Sequence, residues 1–377
     1  MIKEVLLTSI CRPRQWKTIS TKNLKKSGYP VYGANGKIGF YDSFTHENPT
    51  VLITCRGATC GTINISEPKS YVNGNAMALD ELSEEVNMFY LKYFLEYRKL
   101  DDVISGSAQP QITGKGLVKV KIPLPPLDQQ KQIAAILDVA DAYRQKTKAL
   151  IDKYDALTQS LFLDMFGDPV NNPKGWEIQS IVELVKDEKY SLKRGPFGGA
   201  LKKEIFVEEG YLVYEQFHAL NNDFTMARYF IDEEKYNKLI GFAVKPKDII
   251  ISCSGVYLGK LAIIPDEAKE GIINQALLKL TLDQSKMRND FFVFHFKQEN
   301  FKKTYFDSNR GAGIPNFPPM KVFKQFPFIT PPIKLQNQFS ERVKAIEAQK
   351  ALAQQELEKA ENLFNSLLKR AFKGELV

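Results

Sequence analysis

Two stretches of the chain place apolar residues at alternating steps of three and four. In the first, Ile133, Ile136, Ala140, Tyr143, Thr147, Leu150, Tyr154, Leu157 and Leu161 mark a heptad seam. In the second, Phe339, Val343, Ile346, Lys350, Ala353, Leu357, Ala360, Phe364 and Leu367 do the same, with Lys350 interrupting it. A heptad stripe held this long predicts a helix with a packing seam on one side. Neither stretch contains Pro or Gly, and Pro125-Pro126 and Pro331-Pro332 stand just ahead of them. Proline disfavours helix in the residue before it, so each pair sets a stiff, extended approach. Gly167-Asp168-Pro169 stops the first helix, and the second ends near Gly374. Each helix is expected to run about 35 residues, or roughly 50 Å at 1.5 Å per residue. A helix lying on its own domain is the simpler explanation for one such seam. Two seams, each too long for a small domain to cover, favour pairing with one another as an antiparallel coiled coil.

The remaining segments read differently. Val51-Leu52-Ile53-Thr54 and Asp248-Ile249-Ile250-Ile251-Ser252 are short β-rich runs. Each leads into a glycine-bearing loop, Cys55 to Gly61 and Cys253 to Gly259. The cysteine and both glycines match between the loops at one offset. Asn75-Ala76-Met77-Ala78-Leu79 resembles Gln275-Ala276-Leu277-Leu278, and Gly28-Tyr29-Pro30-Val31-Tyr32 has a loose partner in Gly210-Tyr211-Leu212-Val213-Tyr214. Arg194-Gly195-Pro196-Phe197-Gly198-Gly199 has no counterpart.

These matches belong to a larger repeat. GSAQPQITGKGLVKVKIPLPPLDQQKQI (106–133) aligns with GAGIPNFPPMKVFKQFPFITPPIKLQNQF (311–339). With Pro125 on Pro331, an offset of 206 residues, Gln130 falls on Gln336, Gln132 on Gln338, Ser160 on Ser366, Leu161 on Leu367 and Phe166 on Phe372. A period this long is duplication of a whole domain with its connector, not a solenoid. The fold class that follows is α+β. Two globular α/β-type domains with twisted β-sheets are separated by two long helices in an antiparallel coiled coil, giving a pseudo-twofold internal repeat. The expected spans are 1–127 for the first globular domain, 128–167 for the first helix, 168–333 for the second globular domain and 334–377 for the second helix.

Composition supports a soluble globular chain: of 377 residues, 44% are hydrophobic and 25% charged. No window offers the roughly 18 uncharged apolar residues of a membrane span, and the N-terminus lacks a signal-peptide cleavage pattern. Four cysteines (Cys11, Cys55, Cys60 and Cys253) make no disulfide framework, so a reducing cytoplasm is the expected setting. The net charge of +8 favours a polyanionic partner without identifying one.

Catalytic motifs are absent. Neither glycine loop matches a phosphate-binding pattern. Cys55 and Cys60 lack zinc spacing, and His46, His218 and His295 are scattered, so no metal is expected. Leu124 and Thr330 precede the proline pairs, so the Asn/Asp-Pro-Pro-aromatic signature of amino-methyltransferases is missing. Reading DNA needs cations for phosphates and polar side chains for base edges. Arg12, Arg14 and Lys17 surround Trp16, and Arg56 and Thr59 lie on the first loop. In the second half Lys193, Arg194, Lys202 and Lys203 flank a glycine-rich turn, Ser254 and Tyr257 lie on the second loop, and Arg310 precedes Gly311. For any one of these, a solvated surface residue is the plain alternative; matching loops single out Arg56, Thr59, Ser254 and Tyr257.

Taken together, Gly106-Ser107-Ala108-Gln109-Pro110-Gln111-Ile112, the Leu124-Pro125-Pro126-Leu127-Asp128-Gln129-Gln130 junction and Gly28-Tyr29-Pro30-Val31-Tyr32-Gly33-Ala34-Asn35-Gly36 resemble the specificity (S) subunit of type I restriction-modification systems. The resemblance covers essentially the whole chain. The second copy departs from it in Lys334, where the first has Asp128, and in Asn316-Phe317 against Gln111-Ile112. It implies a non-catalytic subunit in which the two globular domains are target-recognition domains, or readers, each recognising one half of a bipartite, asymmetric DNA site while the helices set the gap. Two modification subunits, carrying S-adenosylmethionine, and two restriction subunits, using ATP and magnesium, are the implied partners; this chain itself holds no cofactor. A coiled-coil scaffold presenting two protein-binding domains is the competing class, and a reader fused to its own enzyme is a third. Salt-sensitive duplex binding separates the first two, and activity of the chain alone would mark the third.

Overall fold

A short antiparallel strand pair brings the start of each globular segment to the prolines that end it. Lys3–Leu6 pairs with Lys121–Leu124, and Ile178–Ser180 pairs with Pro327–Ile329. The computed structural model describes residues 3–34, 36–106, 109–306 and 317–376. The chain forms two compact units, Met1–Leu150 with Leu352–Val377, and Ile151–Ala351. Each long helix contributes residues to both.

In the first unit, Arg12–Gln15, Ala76–Asp80, Val51–Thr54 and Ile63–Ile65 form a four-stranded antiparallel sheet in that order. A smaller sheet orders Gly36–Tyr41, Tyr29–Gly33 and Tyr71–Val72, the last pair parallel. In the second unit the same plan recurs. Leu192–Arg194, Leu277–Leu280, Ile249–Ser252 and Leu261–Ile263 make the antiparallel sheet. Tyr211–Tyr214 lies parallel to Gly271–Ile273, between Phe230–Ile231 and Ala243–Val244.

The loose match of Gly28–Tyr32 with Gly210–Tyr214 is therefore one strand in two copies. Asn73 N–H donates to Tyr32 O at 2.8 Å, and Asn274 N–H to Tyr214 O at 3.0 Å. Glycine is required just before the strand in each copy. Gly28 and Gly210 have φ of +132° and +144°, and a Cβ there would sit 2.6 Å from Tyr41 O and 2.4 Å from Ile231 O. A further match shifts by one residue. Thr54 pairs with Ala76 and Ser252 with Leu277, so Ala76 corresponds to Leu277 and not to Ala276.

Both long helices have 40 residues, Leu127–Phe166 and Ile333–Phe372, or roughly 60 Å. Gly167, at φ +79°, closes the first, and its N–H bonds Leu163 O. Each helix is fastened to its unit by a buried glutamine. Gln130 Nε2 donates to Pro125 O (2.8 Å) and Glu85 O (2.9 Å), while its Oε1 accepts from Asn87 N–H (2.9 Å). Gln336 repeats all three bonds with Pro331 O (2.8 Å), Lys286 O (3.0 Å) and Arg288 N–H (2.9 Å).

The two helices pack together, and in each unit the start of one lies against the end of the other. In the first unit Ile133, Ala134, Leu137 and Ala140 meet Phe364, Leu368 and Ala371. In the second, Phe162 and Phe166 meet Phe339, and Val343 joins the same core. The second-helix seam follows the sequence pattern: Phe339, Val343, Ala353, Ala360 and Phe364 are buried, and Ile346, Lys350, Leu357 and Leu367 half-buried. The first-helix seam needs correction. Ile133, Ala140 and Thr147 are buried and Tyr154 and Leu161 half-buried, but Ile136, Tyr143, Leu150 and Leu157 are exposed. The inward positions are one residue further on, at Leu137, Arg144, Ile151 and Thr158. Polar side chains occupy two of them: the Arg144 guanidinium covers the Phe364 ring at 4.3 Å, and Thr158 turns its hydroxyl back to Tyr154 O at 3.0 Å.

Candidate nucleic-acid interface

The two glycine loops share one hydrogen-bond scheme. Gly61 N–H returns to Thr54 O (2.8 Å) as Gly259 N–H returns to Ser252 O (2.9 Å). Cys60 N–H bonds Gly57 O (3.0 Å), and Leu258 N–H bonds Gly255 O (3.1 Å). All four glycines have positive φ, from +71° to +92°, which explains their placement. The cysteine carbonyl closes each loop, Cys55 O accepting from Ile112 N–H and Cys253 O from Phe317 N–H, both at 3.0 Å. Phe317 thus takes the place of Ile112 despite the different residue.

The loop cysteines belong to the core. Burial raises the Cys55 thiol, and it pushes Cys253 up to about 12 against the opposing pull of the Arg194 guanidinium. A protonated, buried thiol is a packing group and a poor nucleophile. All four cysteines are free thiols. Among the described residues no group of three or more His, Cys, Asp or Glu side chains could hold a metal ion.

What the loops show to solvent differs between the copies. The first carries exposed Arg56 and Thr59, and Thr59 Oγ1 donates to Ala34 O at 2.9 Å. The second exposes Tyr257, and its Ser254 accepts from Gln216 Nε2 through both its carbonyl (2.9 Å) and its hydroxyl (3.3 Å). Beside it, Arg194 lies half-buried with its Nε enclosed and unpaired, 6.0 Å from the rings of Phe197 and Phe317. Strand pairing puts Arg194 where the first unit has Gln15, whose Nε2 donates to Cys55 Sγ at 3.0 Å.

The other cations are more dispersed. Arg14 covers the Trp16 ring at 4.2 Å, and Trp16 Nε1 donates to Asp80 at 3.1 Å. Lys193 stands over Tyr190 and Phe242 at 5.2 and 5.1 Å. Arg12 pairs with Glu81 at 3.3 Å, and both are well exposed. Lys17, Lys202 and Lys203 are exposed, and no described contact joins them to either loop. Arg310 lies outside the described residues. The ties of Ala34, Gln15 and Gln216 to the loops escaped the sequence reading because the bonded partners lie 20 to 40 positions away.

Two copies of one scaffold, each presenting a different loop surface and each followed in sequence by a long helix, define an internally duplicated protein. The sequence profile described as the type I restriction modification DNA specificity domain matches residues 2–153 and 173–362. The chain belongs to that family. It is 23% identical over 359 residues to the type I restriction enzyme MjaVIII specificity subunit of Methanocaldococcus jannaschii, covering 90% of this chain and 82% of that one. It is 28% identical over 164 residues to the EcoprrI specificity subunit of Escherichia coli, covering 42% and 37%. Among solved structures, the S subunit from M. genitalium matches with a TM-score of 0.59 and 16% identity over 98% of this chain and 95% of that one. A chain from a study of complex assembly and conformational transition in the type I system matches at 0.57 and 14%, covering 99% and 98%. Among the described residues no helix is long and apolar enough to cross a membrane.

Proposed function

We propose that this chain is the DNA-reading subunit of a type I restriction-modification complex, with its reading surfaces in residues 1–127 and 168–333. Each reader recognises one half of a bipartite, asymmetric site. The carrying observation is the pair of loops: one backbone scheme, different exposed side chains. That is the arrangement expected when one docking geometry serves two base sequences. Arg56 and Thr59 act in one half-site and Ser254, Tyr257 and Arg194 in the other, with the dispersed cations meeting phosphates.

Catalysis is assigned to partners. Modification subunits carrying S-adenosylmethionine transfer the methyl group, and restriction subunits supply the ATP- and magnesium-dependent step. The exposed stripe of Ile136, Val139 (73% exposed) and Tyr143 on the first long helix is an apolar face left open within its unit, and it supports docking of such a partner. The test places Arg56→Ala and Tyr257→Ala separately into the complex with its modification subunit and maps methylated sites at fixed salt. Each substitution is expected to relax recognition in one half-site only. Full specific affinity and an unchanged methylation map in both variants would sink the assignment.

A further inference from the structure

The loop after the parallel strand is tied to the glycine loop in both units, but by different atoms. In the first, the carbonyl of Ala34 accepts from Thr54 Oγ1 (3.0 Å) and Thr59 Oγ1 (2.9 Å). In the second, the Gln216 side chain does this work. Its Nε2 donates to Ser252 Oγ (2.7 Å), Ser254 O (2.9 Å) and Ser254 Oγ (3.3 Å). Thr54 and Ser252 are the same position, the last residue of the strand before the loop.

This difference has a chemical consequence. A carbonyl such as Ser254 O can only accept, so it fixes which end of the Gln216 amide is nitrogen. Both amide hydrogens are committed to the serines. Oε1 is thereby turned the other way; it has no hydrogen-bond partner among the described residues, and solvent reaches it. A glutamine free in solution rotates and offers either end. This one is held as an acceptor, on a half-buried side chain next to the exposed Tyr257 loop.

We infer that Gln216 is a specificity-determining residue of the second reader, its Oε1 accepting a hydrogen bond from the exocyclic amino group of one base. In the major groove that donor is adenine N6 or cytosine N4; guanine and thymine present only acceptors at the matching positions, O6 and O4. With its nitrogen engaged internally, Gln216 cannot make the bidentate adenine contact open to a free glutamine. It selects amino-bearing from keto-bearing bases and leaves the final choice to a neighbouring group. The inference rests on the DNA-reading assignment above.

The experiment uses the full chain in complex with its modification subunit and duplexes in which single exocyclic amino groups are deleted, purine replacing adenine and 4-deoxypyrimidinone replacing cytosine. Affinities are measured at one salt concentration for the wild-type complex and for Gln216→Ala. For wild type, deletion at one position in one half-site is expected to weaken binding about ten-fold. For Gln216→Ala, intact and deleted duplexes should bind alike at that position and differ normally elsewhere. Ser254→Ala, which loosens the tether and keeps Oε1, should give a smaller discrimination at the same position. A wild-type complex indifferent to every amino deletion overturns the inference without any variant having to fold. So does a deletion penalty that Gln216→Ala leaves unchanged. Loss of all sequence dependence in the wild-type complex would instead refute the DNA-reading assignment itself.

Discussion

Replacing Gln336 by leucine should destabilise the second unit by about 3 kcal/mol, and Gln130→Leu should do the same to the first. Each substitution keeps the apolar bulk and removes three hydrogen bonds. What remains is one backbone N–H and two carbonyls without their partner. Pro331 O and its counterpart Pro125 O are buried, so each lost bond there costs about 1–3 kcal/mol. Of the other two groups in each clamp, the N–H belongs to a half-buried residue and the carbonyl to an exposed one, and water replaces part of what they lose, leaving about 0.5–1 kcal/mol apiece. Burial of the new leucine methyls offsets a fraction of the total. Urea denaturation followed by circular dichroism measures the loss, and hydrogen exchange locates it. The amides of Asn87 and Arg288 should lose protection in their own variant and keep it in the other, because no partner is shared between the clamps. A loss below about 1 kcal/mol in both variants, or simultaneous loss of protection at both amides, would refute the reasoning.

Two further outcomes follow from the packing. Leu137→Ala removes a fully buried side chain and should cost about 3 kcal/mol, whereas Ile136→Ala, at a 37% exposed position, should cost under about 1 kcal/mol in the isolated chain; denaturation curves with the opposite order would restore the simpler heptad register. His295 is enclosed by the rings of Phe162, Phe291, Phe301 and Phe328, and its Nε2 accepts from Ile329 N–H at 3.3 Å. Burial pulls it down to about 3 from an ordinary 6.5. The folded state therefore resists protonation that the unfolded chain accepts, so stability is full above pH 6.5 and falls as the pH drops toward 3. The loss is about 2 kcal/mol by pH 5. His295→Gln should flatten that part of the pH–stability curve; superimposable slopes for the two proteins would remove His295 as the cause.

The repeat, the helix boundaries and the loop glycines were legible in the sequence because each depends on local chemistry. Proline pairs set helix starts, and glycines at positive φ set loop shapes, whatever lies around them. The first-helix seam was only half legible. At Ile136-Leu137, Tyr143-Arg144, Leu150-Ile151 and Leu157-Thr158 the step of three or four could land on either neighbour. The regular alternation of three and four, with a preference for apolar residues, chose the first of each pair. The partner chose the second, because Arg144 and Thr158 satisfy their polar atoms while lying inward. The candidate site divides in the same way. Arg56, Thr59, Ser254 and Tyr257 stood out because their loops recur. Gln130 and Gln336 matched in the repeat, but neither their clamping role nor Gln216 stood out, since those roles depend on partners 36 to 50 positions away.

The first unit is assembled from two stretches of chain far apart in sequence. Phe364 and Phe372, on the second long helix, fill the space against Tyr90, Tyr93, Phe94 and Tyr97. During synthesis these aromatic surfaces stay uncovered until that helix emerges, while the second unit, drawn from one uninterrupted stretch, can close before it. At the usual pace of translation that interval is on the order of ten to forty seconds. The unit begun first is thus the last to finish folding, and a transcript cut short near its end removes the helix segment that closes that first unit.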